Sequence, residues 1–272
     1  MDAGVGVNED VATVTNDAAW VLDGATGLTD DSHTPGATDA TWYVRQVDSY
    51  LRQHVTDDAP LTEILRDCVS HVADEFDSLV DGEEVDPASE PSAAIAIARW
   101  TPDKVQYAVL GDASAIFRRG RDLDMEFGGG PRHLDEAALM ELSRLQDEEG
   151  LTHDEAFDAI QPRLRAMRRS KNTLDGYWTL SFDPDAVDHA RTGERTALSD
   201  VTLLTDGAEP LVEPYRVFKT WAEASAFILD RGPAAALYRL RQVERDDLAC
   251  ERYPRFKRHD DAAIAAVRFD PI

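Results

Sequence analysis

SAAIAIARWTPDKVQYAVLGDASAIFR, residues 92–118, decides the fold class. Its apolar residues fall in three short runs, Ser92–Trp100, Lys104–Leu110 and Ser114–Arg118. Thr101-Pro102-Asp103 and Gly111-Asp112 break them. Runs of this length between turn formers are strands. Breaks of two or three residues join only antiparallel neighbours, because a parallel pair needs a long crossover. The stretch therefore reads as a three-strand meander. Upstream, Val11–Val14 and Ala18–Leu22 flank Thr15-Asn16-Asp17 and read as a hairpin. Downstream, Asp200–Thr205 and Ala262–Phe269 read as strands, and Tyr177–Ser181 is a further candidate.

Helices fill the gaps. Leu61, Ile64, Leu65, Cys68, Val69, Val72, Phe76 and Leu79 keep helical spacing, so Leu61–Leu79 is an amphipathic helix. Trp42–Val55, Asp135–Glu149, His153–Arg169, Phe218–Leu229 and Pro233–Asp246 also read as helices, with Gly150 between the second and third of these. The order is strands, helices, strands, helices, strand. It does not alternate as βαβ units do, which excludes a doubly wound parallel sheet. The expected class is α+β, with antiparallel sheet segregated from helices. No repeat and no linker composition breaks the chain, so 1–272 is expected to be a single domain.

The chain carries 28 basic and 53 acidic residues, a net charge of −25. Such a field repels phosphate polymers, so neither nucleic acid nor an anionic membrane is an expected partner. No apolar run reaches the roughly 18–20 residues of a membrane span. MDAGVGVNED has neither the basic nor the apolar region of a signal peptide, and a cytoplasmic location is expected. Cys68 and Cys250 stand far apart in no metal-ligand spacing, which excludes a disulfide framework. The acidic residues are spread evenly, and only 4 of the 28 basic residues are lysine. Even acidity of this kind suits concentrated salt, where self-repulsion is screened, and predicts a halophile protein.

HExxH, CxxC and phosphate-loop motifs are absent. What remains is carboxylates at strand ends: Glu9-Asp10, Asp23-Gly24, Gly111-Asp112, Asp206-Gly207 and Asp260-Asp261. Taken singly, each Asp-Gly pair reads more readily as a turn. Taken together at one end of a sheet, such carboxylates make an oxygen-only site suited to Mg²⁺ or Mn²⁺.

The ordered set resembles the PP2C family of metal-dependent protein phosphatases. The matching pieces are Asn8-Glu9-Asp10, Trp20-Val21-Leu22-Asp23-Gly24-Ala25-Thr26-Gly27, Leu110-Gly111-Asp112-Ala113-Ser114, Leu203-Leu204-Thr205-Asp206-Gly207, and Asp260-Asp261 before the last strand. The resemblance implies an α/β/β/α four-layer sandwich of two antiparallel sheets flanked by helices. It implies two Mn²⁺ or Mg²⁺ ions, or three, and a phosphorylated protein as substrate. Asp23 would bridge two metals and Gly24 would offer its carbonyl. Asp206 and Asp260 would hold one metal and Glu9 the other. Asp10 would bind a coordinated water, and Asp112 would serve a third ion. Asp10, Asp23 and Asp206 would thus carry hydrolysis of phosphoserine and phosphothreonine esters by a metal-activated water.

The family also places an arginine shortly before the Glu-Asp motif, and Met1–Asn8 contains none. Arg163, Arg165, Arg168, Arg169 and Lys171 form the densest basic stretch, and Arg168 and Arg169 are the candidate phosphate ligands. The alternative is a helix face that pairs its charges locally. Tyr177, Trp178 and Asn172 either line the site or belong to the core. The segment 122–172 lies where the family carries a variable flap, expected here to be helical. Two other functions use the same frame: a phospho-partner binding module with weak or no catalysis, and a small-molecule phosphoesterase.

Overall fold

A computed structural model describes residue 4, residues 6–25 and residues 32–269, apart from the side chain of His133. The Thr26-Gly27 end of the second motif lies outside the described residues. Nine strands are described: β1 (Asp10–Val14), β2 (Ala18–Ala25), β3 (Ser92–Trp100), β4 (Val105–Leu110), β5 (Ser114–Arg119), β6 (Asp122–Phe127), β7 (Arg191–Arg195), β8 (Asp200–Leu204) and β9 (Ile264–Arg268). The helices are α1 (Asp39–His54), α2 (Leu61–Val80), α3 (Arg132–Glu149), α4 (His153–Arg169), α5 (Trp221–Arg231) and α6 (Pro233–Arg245).

The strands form two antiparallel sheets, ordered β1-β2-β3-β4-β7 and β6-β5-β8-β9. Strand alternation sorts the side chains into layers. In β2 and β3, Trp20, Leu22, Ile95 and Ile97 face outward and meet Tyr43, Val47, Leu51, Leu65, Val69 and Val72 of α1 and α2. Their neighbours Ala19, Val21, Ala94, Ala96 and Ala98 face inward, against Ala115, Phe117, Val201, Leu203 and Ala265 of the second sheet. Ile116, Leu204 and Ile264 on that sheet's outer face meet Ala224 and Ile228 of α5 and Leu237 and Leu240 of α6. This is the expected four-layer α/β/β/α arrangement. The helix N-termini follow their sequences: Thr152 and Glu155 form a reciprocal capping box on α4, and Thr38 and Thr41 do so on α1.

Three expectations change. The meander is not one sheet. β3 and β4 form a hairpin with Ile95 opposite Leu110, but β5 pairs with β6 and β8 in the other sheet. Gly111-Asp112-Ala113 is therefore a crossing between layers, not a hairpin turn. Gly111 has φ +82°, and a Cβ there would overlap Ala94, so the crossing needs glycine. Tyr177–Ser181 is not a strand. Leu180 exchanges backbone hydrogen bonds with Ala93, and the pairing goes no further. Finally, β6 occupies 122–127, so the helical segment expected over 122–172 begins at Arg132. Polar, half-exposed DLDMEF and RTGER (β7) lack the apolar alternation that reveals a strand, because both are sheet edges.

A buried anchor ties the first hairpin to α1. Asp48 Oδ1 accepts from Thr13 Oγ1 at 2.6 Å and from the fully buried Trp20 Nε1 at 2.9 Å. Arg52 donates to its second oxygen at 2.8 Å. Asp48→Ala leaves the Trp20 N–H buried without a partner, at a cost of about 1–3 kcal/mol. Thermal melting should show a drop of roughly 3–8 °C. An unchanged melting temperature would mean that the indole finds another acceptor.

Candidate metal centre

The carboxylates meet because strand ends meet. In the β1–β2 register Asp10 lies directly opposite Asp23. Thr205, at the end of β8, joins this hairpin to the other sheet: its Oγ1 donates to Asp10 Oδ2 at 2.7 Å and accepts from Ala263 N at 2.8 Å. Asp206 follows directly. A Cβ on Gly207 would overlap the Asp261 carbonyl oxygen, so glycine is what brings Asp206 beside the strand that carries Asp260. Asp261 accepts from Gly4 N at 2.6 Å and from Glu9 N at 2.8 Å. It holds the chain that presents Glu9 and lies behind the cleft.

The cleft encloses about 570 Å³, and Glu9, Asp23, Gly24, Asp112, Asp206 and Asp260 line its floor. Asp10 is buried beneath them, 4 % exposed, with its carboxylate turned to Thr205. Of the two candidate arginines, the structure brings only Arg168 to the cleft. Its guanidinium lies 3.5 Å from Ser92 Oγ and near Asp112 and Asp135. Arg169 points elsewhere and is bound by Asp86 through Nε at 3.1 Å and Nη2 at 2.6 Å. Tyr177 lines the cleft, while Trp178 packs against the core under α1 and α2. The Asn172 side chain accepts from Thr179 N at 2.9 Å.

Three cleft residues escaped the sequence reading. Asp135 enters from the first turn of α3. Glu209 accepts from Ser114 Oγ and Arg132 Nη2, each at 2.9 Å. Lys257 donates to Asp260 Oδ1 at 2.6 Å. The signal for Lys257 was available, since it is one of 4 lysines and stands three residues before Asp260.

The floor is electrostatically strained. Burial and then repulsion from Asp206, Asp10 and Asp112 push the Asp23 carboxyl well above the usual carboxylate range. Burial, with the charges of Asp112 and Asp260, raises Asp206 to about 7. Burial and Asp135 raise Asp112 to about 6. Asp135 itself is raised to about 7 by burial and Asp206. Asp10 is raised by burial first, then by Asp260 and Asp206. After burial itself, the charge of Asp206 is the largest contribution to the rise of Asp23, so the two carboxyls oppose each other's ionisation. Among the described residues no three His, Cys, Asp or Glu side chains close to metal-holding distance. Like charges gathered without a counter-ion repel one another. A hard, oxygen-only donor set whose charges repel one another fits divalent Mg²⁺ or Mn²⁺.

A two-sheet sandwich with carboxylates gathered at its strand ends has the build of a metal-dependent phosphatase. The family model for protein phosphatase 2C matches residues 7–240, and the chain belongs to that family. Solved structures agree on the fold. The Mycobacterium tuberculosis serine/threonine phosphatase PstP/Ppp superposes with a TM-score of 0.56 at 16 % identity, over 97 % of this chain and 94 % of that one. The catalytic domain of PstP in complex with two manganese ions gives 0.55 at 16 % identity, over 99 % and 96 %. Serine/threonine phosphatase Stp1 from Staphylococcus aureus gives 0.55 at 14 % identity, over 99 % and 92 %. Comparison by sequence with curated proteins finds no match. Among the described residues no helix is long and apolar enough to cross a membrane.

Proposed function

We propose that this chain is a Mn²⁺- or Mg²⁺-dependent phosphatase that hydrolyses phosphoserine and phosphothreonine esters of protein substrates. The observation that carries the reading is the convergence of Glu9, Asp23, Asp112, Asp206 and Asp260 in one cleft of a PP2C-family chain. Asp23, Asp206, Asp260, Glu9 and the Gly24 carbonyl would hold two ions, and Asp112 would hold a third. Such ions activate water and neutralise charge as the phosphoryl group transfers. The protein's own part is to hold the donors and to exclude other cations. Asp10, tied to Thr205 and opposite Asp23 in the strand register, would hold a water coordinated to the ions.

Arg168 faces this floor from α4, and we assign it to the substrate phosphate; Arg169 serves to dock the helix on Asp86. Arg168→Ala should raise KM for a phosphoester about tenfold, and Arg169→Ala should leave it unchanged. Equal effects of the two would remove Arg168 from the site.

The helical segment beginning at Arg132 forms one wall of the cleft through Asp135, Leu139, Phe157, Leu164 and Met167. It is the variable flap of a single phosphatase domain, and its apolar lining selects among phosphorylated segments. Cys68 and Cys250 are free and buried, consistent with a reducing cytoplasmic setting. The test is hydrolysis of p-nitrophenyl phosphate and a phosphothreonine peptide, with Mn²⁺ or with EDTA, in molar KCl to screen the charge of −25. Turnover that requires Mn²⁺ supports the reading. A folded, Mn²⁺-loaded protein that turns over neither substrate overturns it.

A further inference from the structure

The floor's carboxylates, when ionised, carry more negative charge than even three divalent ions cancel. Glu9, Asp23, Asp112, Asp206 and Asp260 line it, Asp10 lies beneath, and Asp135 enters from α3. A phosphate monoester adds about −1.5 to −2. The remaining field repels that substrate unless a protein cation meets it.

Among the described residues, three cationic side chains line the cleft: Arg168, Arg255 and Lys257. Arg255 is spent on its own loop, donating to Asp247 Oδ2 at 2.8 Å, to the Tyr253 carbonyl at 2.8 Å and to the Asp247 carbonyl at 2.5 Å. Arg168 stands on the Asp112 and Asp135 side. Lys257 stands beside Asp260. Its Nζ donates to Asp260 Oδ1 at 2.6 Å and feels the charges of Asp23 and Asp206. That Asp260 oxygen also accepts from Asp261 N at 3.0 Å, so the carboxylate keeps a partner if the ammonium leaves. The Lys257 side chain is 51 % exposed and reaches the floor from the open rim. An ammonium on a four-carbon stem is a point charge with three rotatable donors, free to change partner without moving the backbone.

We infer that Lys257 is the cation that receives the phosphoryl oxygens above the floor, and that it holds Asp260 until a divalent ion takes that carboxylate. The inference rests on the phosphatase reading above. It gives the phosphate two protein cations, Lys257 and Arg168, that line the same cleft. It also makes Lys257 a competitor of the metal for Asp260.

The experiment uses the full chain and the variants Lys257→Met, Lys257→Gln and Lys257→Arg, with folding checked by circular dichroism. Mn²⁺ is titrated calorimetrically, and then orthophosphate is titrated into the Mn²⁺-loaded protein. Lys257→Met and Lys257→Gln should bind Mn²⁺ several-fold tighter and orthophosphate about tenfold more weakly. Lys257→Arg should recover phosphate affinity. KM for p-nitrophenyl phosphate should follow the phosphate affinity. If both neutral variants bind orthophosphate as tightly as the parent, the inference falls, while Mn²⁺-dependent turnover of the parent leaves the phosphatase reading standing. If the parent binds no Mn²⁺, both fall.

Discussion

Replacing Asp23 and Asp206 together by alanine abolishes Mn²⁺-dependent hydrolysis of p-nitrophenyl phosphate, a loss of at least about 10³-fold, and raises the melting temperature of the metal-free protein. The two effects have one cause. Burial and surrounding like charge raise both carboxyls. That arrangement favours a divalent cation and disfavours the metal-free fold. Alanine removes the proposed ligands and the repulsion together. Kinetics with and without EDTA, beside a thermal melt in EDTA, read both. Residual turnover that still depends on Mn²⁺ would place the chemistry elsewhere. A lower melting temperature would show that the pair supports the fold.

The metal-free protein loses stability as pH rises from 5.5 to 8, by roughly 5–10 °C in melting temperature. The sign comes from the raised carboxyls. An unfolded aspartate titrates near 3.9. Asp112 titrates at about 6, and Asp206 and Asp135 at about 7, when folded. Between these values the folded chain binds more protons than the unfolded one, so stability is present at low pH and is lost as pH climbs through 6 to 7. Mn²⁺ should restore the loss at pH 8 and do little at pH 5.5, where protons hold the ligands. Scanning fluorimetry in EDTA across this range checks the slope. The net charge of −25 acts in the same direction. The Asp23→Ala/Asp206→Ala variant separates the two, since its profile should be flatter. A parent profile that rises with pH would contradict the strain at the floor.

How much of this was legible in the chain depended on periodicity. α2 and α4 carry clean helical spacing or a capping box, and their sequence limits match the structure within a residue. The carboxylate set was legible as ordered motifs, and the structure gathers Glu9, Asp23, Asp112, Asp206 and Asp260. The edge strands β6 and β7 were not, because an edge has no obligatory apolar face. The crossing at Gly111 was misread because local sequence does not say which sheet the next strand joins. That choice is made by Ile116 and Phe117, whose partners in α5, α6 and β8 lie far away along the chain. Asp135 and Glu209 were missed for the same reason. Each belongs to an element that only tertiary packing brings to the cleft, and in a chain with 53 acidic residues no single acid stands out.

The hairpin of α3 and α4 has a core of its own, built from Ala138, Leu142, Leu145, Ala156, Ile160 and Leu164. It is fastened at its margins, by Arg169 to Asp86, by Arg258 to Asp154 and by Arg132 to Glu209. Inheritance can therefore act on it as on an exchangeable cassette. Substitutions inside its core are absorbed locally, and those on its cleft face alter what the wall accepts. The strand ends beneath, bound into two sheets, admit far less variation. Descendants of such a chain can diverge in what they act upon while the chemistry of the floor stays fixed.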